Sequence, residues 1–257
     1  VSIIKNKNHP VIAINNNPVF FNGVLDQGYY SDGIYTPASP NAYEFDIVQM
    51  KNMGFNMLRK HIKIEPQIFY YLCDKLGIYV FQDFVNNGGY NFLIDTALPT
   101  AFLKKGVTPF PSRKRRGIFE KSCEQTMKFL YNHPSVCYYT IFNEGWGQFD
   151  TERMTQIVQG VVGQTLVCCA SGWNDADIGD IKDSHSYPDP SCPLDRNRAA
   201  VCGEYGGITL KVQGHVWPGG DFQYTTVETG GDFTVLFNRL ADKIKDYYYY
   251  GLNAAVY

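Results

Sequence analysis

The 257-residue sequence lacks the signals that mark nucleotide-, membrane- or metal-centred proteins. No G-x-G-x-x-G or P-loop follows any apolar run, which counts against a doubly wound nucleotide-binding sheet. No stretch approaches 18 consecutive apolar residues, so a transmembrane helix is excluded. Net charge is only −2, with no basic stripe. That balance leaves no electrostatic case for nucleic acid or for a membrane surface as partner. H-E-x-x-H and C-x-x-C are both missing, so no catalytic metal is expected. The acidic run Asp175, Asp177, Asp180 and Asp183 does not fit calcium-loop spacing either. There is no disulfide framework. Of seven cysteines, most lie inside apolar strand or helix patterns and Cys168-Cys169 are adjacent. Free thiols are expected, which favours a reducing, cytoplasmic compartment over a secreted or periplasmic one, the alternative the sequence leaves open. Val1 is preceded by neither an initiator Met nor a signal peptide, which predicts a processed or excised piece whose targeting is not written in it.

What is present repeats. An amphipathic helix, a glycine and a short apolar strand recur along the chain. The i, i+3/i+4, i+7 stripes predict helices over 44–53, 66–76, 117–131, 151–162 and 233–250, and Gly54, Gly77 and Gly251 stand where left-handed caps end helices. Strands are predicted near 20–25, 55–60, 78–84, 136–143, 165–170, 181–186, 199–204 and 252–257. Eight strands alternating with helices in about 250 residues is the arithmetic of a (β/α)8 TIM barrel. It is expected to be irregular around strands 5–7, where the Pro-rich links are too short for full crossover helices, and to end inside strand 8 with Tyr257 near the catalytic face. Residues 1–19 read as a lead-in strand or hairpin and 20–257 as the barrel. The stretch Asn86 to Lys114 reads as a long loop walling the cleft.

The most informative residues are Asn143-Glu144. They end the apolar run Val136–Phe142, just before Gly145-Trp146-Gly147. A carboxylate at the C-terminal end of a buried parallel strand is not needed for packing, and that end of a barrel is where chemistry sits. The run Ala199–Gly203 repeats the pattern and ends in Glu204. Two glutamates at two such strand ends point to the paired carboxylates that cleave glycosidic bonds, a chemistry that needs no organic cofactor. Asp83 ends the third strand, as substrate contact or as support. His185 ends the sixth, as ligand contact or as an ordinary satisfied polar group. Trp146, Trp173 and Trp217 lie in the loops of the predicted catalytic face, as sugar platforms or as core.

Phe21-Asn22-Gly23-Val24, Gly54–Arg59, Tyr71–Ile78, His133–Val136, Phe142–Trp146 and Gly203–Gly206 together resemble glycoside hydrolase family 2. This is the family of β-galactosidases, β-glucuronidases and β-mannosidases, matched here through its catalytic barrel. The resemblance implies Glu144 as general acid/base and Glu204 as nucleophile. It implies Asn143 as a hydrogen-bond partner of the sugar 2-hydroxyl, Tyr187 as a contact of the nucleophile, and Arg59 as the group holding that nucleophile ionised. It also implies flanking β-sandwich domains in the full-length protein. Gly206-Gly207 stand where family β-galactosidases carry a histidine, and His61 follows Arg59 by two residues, so galactose specificity stays open. The activity expected is that of a retaining exo-β-glycosidase on a carbohydrate substrate. An endo-acting glycanase of the same clan and a non-catalytic carbohydrate-binding barrel are the alternatives.

Overall fold

Eight parallel strands form a nearly closed barrel. A computed structural model describes residues 1–6, 9–88, 91–98, 111–216 and 224–257. A hairpin comes first, β1 (Ser2–Asn6) and β2 (His9–Ile14), with the two-residue β3 (Asn17–Pro18) beside it. The barrel strands are β4 (Phe21–Asp26), β5 (Met57–Lys60), β6 (Tyr79–Asp83), β7 (Val136–Asn143), β8 (Leu166–Ser171), β9 (Ile181–Ser186), β10 (Ala199–Tyr205) and β13 (Leu252–Val256). A short parallel pair, β11 (Ile208–Leu210) and β12 (Thr225–Val227), lies between β10 and β13 in sequence. The hydrogen-bonded order is β8-β7-β6-β5-β4-β13-β10-β9. Among the described residues no helix is long and apolar enough to cross a membrane.

The helices are α1 (Pro40–Asn52), α2 (Gln67–Leu76), α3 (Arg113–Leu130), α4 (Thr151–Val162) and α5 (Gly230–Tyr250). Three of them start earlier than their apolar stripes indicate. Pro40 stands in the first turn of α1, and the Ser112 and Thr229 side chains cap α3 and α5. Such starts are written in capping chemistry rather than in periodicity. Gly77 ends α2 at φ 69°, as its position implies. Of the stretch Asn86 to Lys114, residues 89–90 and 99–110 lie outside the described residues; within the rest a short helical segment runs over Phe92–Ala97 and α3 begins at Arg113. The expected irregularity is present: no helix occurs between β8 and β9 or between β9 and β10.

Alternation sorts the strands into layers. On β5, Met57 joins the barrel interior and Leu58 the outer layer beneath the helices. Arg59 therefore points inward. Ile12 of the hairpin packs into the same interior cluster as Phe21, Phe81 and Val256, closing the N-terminal end of the barrel. A buried amide fixes that plug: Asn253 Oδ1 accepts from Ile12 N at 2.8 Å, and its Nδ2 donates to Pro10 O at 3.1 Å.

The β8–β9 seam is closed differently from the others. Its backbone contact is a bridge between Cys168 and Gly179, and Asp180 N donates to Val167 O at 2.9 Å. Side chains complete it. Asp180 Oδ2 accepts from Val167 N at 2.9 Å, and Asp183 Oδ1 accepts from Ser171 Oγ at 2.9 Å and from Gly172 N at 3.0 Å. On the other side of β9 the register with β10 shifts between Cys202 and Glu204, at Gly203. A Cβ on Gly203 would lie 2.3 Å from Asp183 Oδ2, so only glycine lets this carboxylate lie against β10.

Asn253→Ala leaves Ile12 N–H and Pro10 C=O buried without partners. Its unfolding free energy in urea is expected to fall by about 1–3 kcal/mol; an unchanged midpoint would mean that the hairpin is not held through this amide.

Candidate active site

β7 ends at Asn143, and the chain turns at Glu144, whose φ of 54° lies in the left-handed region, followed by Gly145 at 74°. A non-glycine residue rarely adopts that backbone, and such strain collects at functional sites. Two backbone bonds hold the turn, Glu144 N to Ser171 O at 3.0 Å and Trp146 N to Asn143 O at 2.9 Å. The turn lifts the Glu144 carboxylate over the barrel mouth toward β9 and β10. Glu204 reaches the same place from β10, just past the Gly203 register shift.

Arg59 occupies the centre, 2% exposed. Its Nε and Nη2 donate to the two oxygens of Asp83 at 3.1 and 3.0 Å. Nη2 also donates to Asn143 Oδ1 at 2.8 Å, and Nη1 donates to Gly203 O at 3.0 Å and to Glu204 Oε1 at 3.2 Å. The facing carboxylates of Asp83 and Glu204 outweigh its desolvation, and the guanidinium stays charged. Tyr187 OH donates to the other carboxylate oxygen, Glu204 Oε2, at 2.6 Å. Burial and the Glu204 charge push that phenol well above its usual range. Glu144 is raised as well, chiefly by burial, with Arg59 and His61 pulling the other way.

His185, from β9, ties the two glutamates together. Its Nδ1 lies 2.8 Å from Glu144 Oε1 and 3.6 Å from Glu204 Oε2. One oxygen of each carboxylate and a ring nitrogen all fall within 4.8 Å of one another. A cation would also accept that spacing, but the Arg59 guanidinium beside Glu204 opposes a second positive charge there. Burial lowers the His185 ring to about 3 and the His61 ring to about 4, so both are neutral near pH 7. His61 Nε2 is buried without a hydrogen-bond partner, 3.6 Å from Glu204 Oε1.

A cavity of about 920 Å3 opens above these groups, lined by Glu144, Glu204, Tyr187, His61, Tyr224 and Tyr257 among others. The size suits a small-molecule ligand. Tyr224 stacks on Tyr187 with ring centroids 3.8 Å apart.

The structure thus brings together Asn143, Glu144, Arg59, Asp83, His185, Tyr187 and Glu204. Trp173 joins them at one side, its Nε1 donating to Glu144 O at 2.8 Å and its ring edge-on to His185. Arg59 and Asp83 are enclosed beneath the cavity and act through their neighbours. Trp146 turns away to donate to Gly88 O at 2.8 Å. Trp217 lies outside the described residues. His61, Ser171, Asp183 and Tyr224 escaped the sequence reading as site residues. For His61 a signal existed, since positions 59 and 61 of one strand end share a face. Asp183 was noticed only as part of an acidic run, and that run divides: Asp175 pairs with Arg198 at 2.8 Å, while Asp183 faces the site.

A barrel with two carboxylates converging at the C-terminal ends of its strands is the architecture of a glycoside hydrolase. The chain belongs to the glycosyl hydrolases family 2, TIM barrel domain, whose model matches residues 4–195. It is 30% identical over 107 residues to a β-glucuronidase of Bacteroides fragilis, an alignment spanning 41% of this chain and 13% of that protein. Its fold matches a β-glucuronidase of Parabacteroides merdae with a TM-score of 0.67 at 14% identity, over 95% of this chain and 33% of that one. A β-glucuronidase of an uncultured Clostridium sp. also gives 0.67 at 14% identity, over 99% of this chain and 46% of that one. The chain thus spans less than half the length of these relatives.

The two buried rings carry a pH signature. In the unfolded chain they protonate below about 6.5, whereas the folded protein resists this down to about 3 and 4. Their contribution to stability is complete above about 6.5 and is lost as pH falls toward those values. His185→Gln should therefore show a shallower fall in Tm between pH 7 and pH 4 than the parent. An equal or steeper fall would contradict a neutral buried ring.

Proposed function

We propose that this chain is the catalytic barrel of a retaining exo-β-glycosidase, with Glu204 as nucleophile and Glu144 as general acid/base. The observation that carries this reading is the approach of the two carboxylates, with oxygens within 4.8 Å. Retaining enzymes hold their carboxyls about 5–5.5 Å apart, whereas inverting enzymes leave about 6.5–9.5 Å for a water.

The surroundings divide the roles. Glu204 receives Arg59 on one oxygen and the Tyr187 hydroxyl on the other, two donors that hold the carboxylate in place for attack. Glu144, half-covered and raised, is suited to hold a proton. In the first step Glu204 attacks the anomeric carbon and the bond to the leaving oxygen breaks as Glu144 delivers its proton there. In the second, Glu144 takes a proton from water, whose oxygen displaces Glu204. Arg59 holds Asn143 by its Oδ1, which orients Nδ2 as a donor for the sugar 2-hydroxyl. The unpartnered His61 Nε2 serves another hydroxyl. Exo action belongs to the same reading, with Tyr224 and Tyr257 lining the cavity beside the two glutamates. So do flanking β-sandwich domains in the full-length protein.

Two measurements test it. Incubation with a panel of 2-deoxy-2-fluoro β-glycosides bearing good leaving groups should leave a stable adduct on the peptide containing Glu204; an adduct elsewhere, or Glu204→Gln with normal turnover, would overturn the assignment. Glu144→Ala should lose about 10²–10⁴-fold in kcat/KM on substrates with poor leaving groups, and far less on dinitrophenyl glycosides, which leave without protonation. Equal losses on both would remove Glu144 from the acid role.

A further inference from the structure

Behind Glu144 a line of side chains runs into the barrel wall. Glu144 Oε1 lies 2.8 Å from His185 Nδ1, His185 Nε2 lies 2.7 Å from Ser171 Oγ, and Ser171 Oγ lies 2.9 Å from Asp183 Oδ1. Each step is of hydrogen-bond length, and the line crosses the β8–β9 seam. His185 and Asp183 side chains are 1% and 2% exposed. The mechanism above uses only the first member.

Such a line has two complementary arrangements, because a neutral imidazole has one donor and one acceptor nitrogen and a serine hydroxyl is both. In one, Glu144 is protonated and donates to Nδ1, Nε2–H donates to Ser171 Oγ while facing the Arg59 Nη1 donor 3.3 Å away, and Ser171 donates to an ionised Asp183. In the other every bond is reversed: Asp183 is protonated and donates to Ser171, Ser171 donates to Nε2, and Nδ1–H donates to an ionised Glu144. The two differ by three short proton shifts, from Glu144 to Nδ1, from Nε2 to Oγ and from Oγ to Asp183. No proton is gained or lost, and the negative charge moves from Asp183 to Glu144. The histidine changes tautomer and never becomes a cation.

We infer that Glu144, His185, Ser171 and Asp183 share one proton along this chain, with Asp183 as a buried store for the proton that Glu144 gives and takes. This gives a positioning role to Ser171 and Asp183, neither of which touches the cavity, and it rests on Glu144 being the acid/base. The charges agree with it. Asp183 is pushed up to about 7, mainly by burial, against the pull of Arg59, Gly172 N–H and Ser171, with Glu204 adding to the rise. Tyr138 and Cys168 are its further titratable neighbours. Around His185 stand Glu204, Arg59, Asp83 and His61 as well as Glu144, and the ring stays neutral among them. Gly203 leaves room for Asp183 where any side chain would displace it.

The ring itself reports the outcome without any substrate. Long-range 1H–15N correlation spectra of 15N-histidine-labelled protein distinguish the two tautomers and the imidazolium, with His185 assigned through His185→Gln. The expected result is an Nε2–H tautomer at acid pH that gives way to Nδ1–H as pH rises through the Glu144 ionisation. In 13C-carboxyl-labelled protein, Glu144 and Asp183 should titrate together in two linked steps. Ser171→Ala, which cuts the line without changing charge, should separate them into independent single steps. One tautomer at every pH, an imidazolium between pH 5 and 8, or coupling that survives Ser171→Ala would each overturn the shared proton. The ring measurement on the parent protein stands even if Ser171→Ala does not fold. Turnover and Glu204 labelling are unaffected by a negative ring result, so failure of the relay is distinguishable from failure of the glycosidase reading.

Discussion

The buried charge of Arg59 is the constraint around which the rest is arranged. A guanidinium inside a barrel is tolerable only when its donors are matched by acceptors and its charge is balanced. Here Asp83, Asn143, the Gly203 carbonyl and Glu204 supply the acceptors, from β6, β7 and β10, while β5 supplies the cation. One planar group thus sets the relative positions of three strand ends. It orients the amide beside one proposed catalytic carboxylate and holds the other. Because Asp83 takes two of the donors, the positive charge is partly spent before it reaches Glu204, which leaves the mouth of the barrel acidic rather than neutral.

The neighbouring histidines are neutral in spite of that acidity. His61 and His185 lie among carboxylates that would welcome their protonation, but burial and the guanidinium outweigh that attraction. Neutral rings can both donate and accept, so they add directional hydrogen bonds to the site without adding charge. The left-handed backbone at Glu144 has a similar logic. The strain in this turn falls on its one non-glycine left-handed residue, and in return the carboxylate leaves the strand direction and faces β9 and β10.

Much of this was legible in the chain. The helix–glycine–strand recurrence carried the barrel because each unit hides one apolar stripe, and periodicity records burial faithfully. The two glutamates were legible because a charged residue terminating a buried run has no packing reason to be there. Partners were harder to read. Whether Asp183 belonged with Asp175 or with the site depends on strand register, which a bulge at Gly203 resets by one residue, and no local pattern announces that shift. The direction of Trp146 depended on where the backbone at Gly88 passes, a contact between segments 58 residues apart. Tyr224 follows a stretch with no periodic signal at all, and its stacking on Tyr187 is a purely tertiary fact.

The side-chain seam between β8 and β9 has a consequence for how the protein becomes competent. Elsewhere the barrel is laced by backbone ladders that form whatever the side chains are. At this one joint, closure relies on Ser171, Asp180 and Asp183, and the same neighbourhood aligns His185 with Glu144. A barrel left ajar there would retain most of its secondary structure yet have no aligned histidine. The alignment of His185 with Glu144 therefore depends on the one seam that side chains, rather than a backbone ladder, hold together.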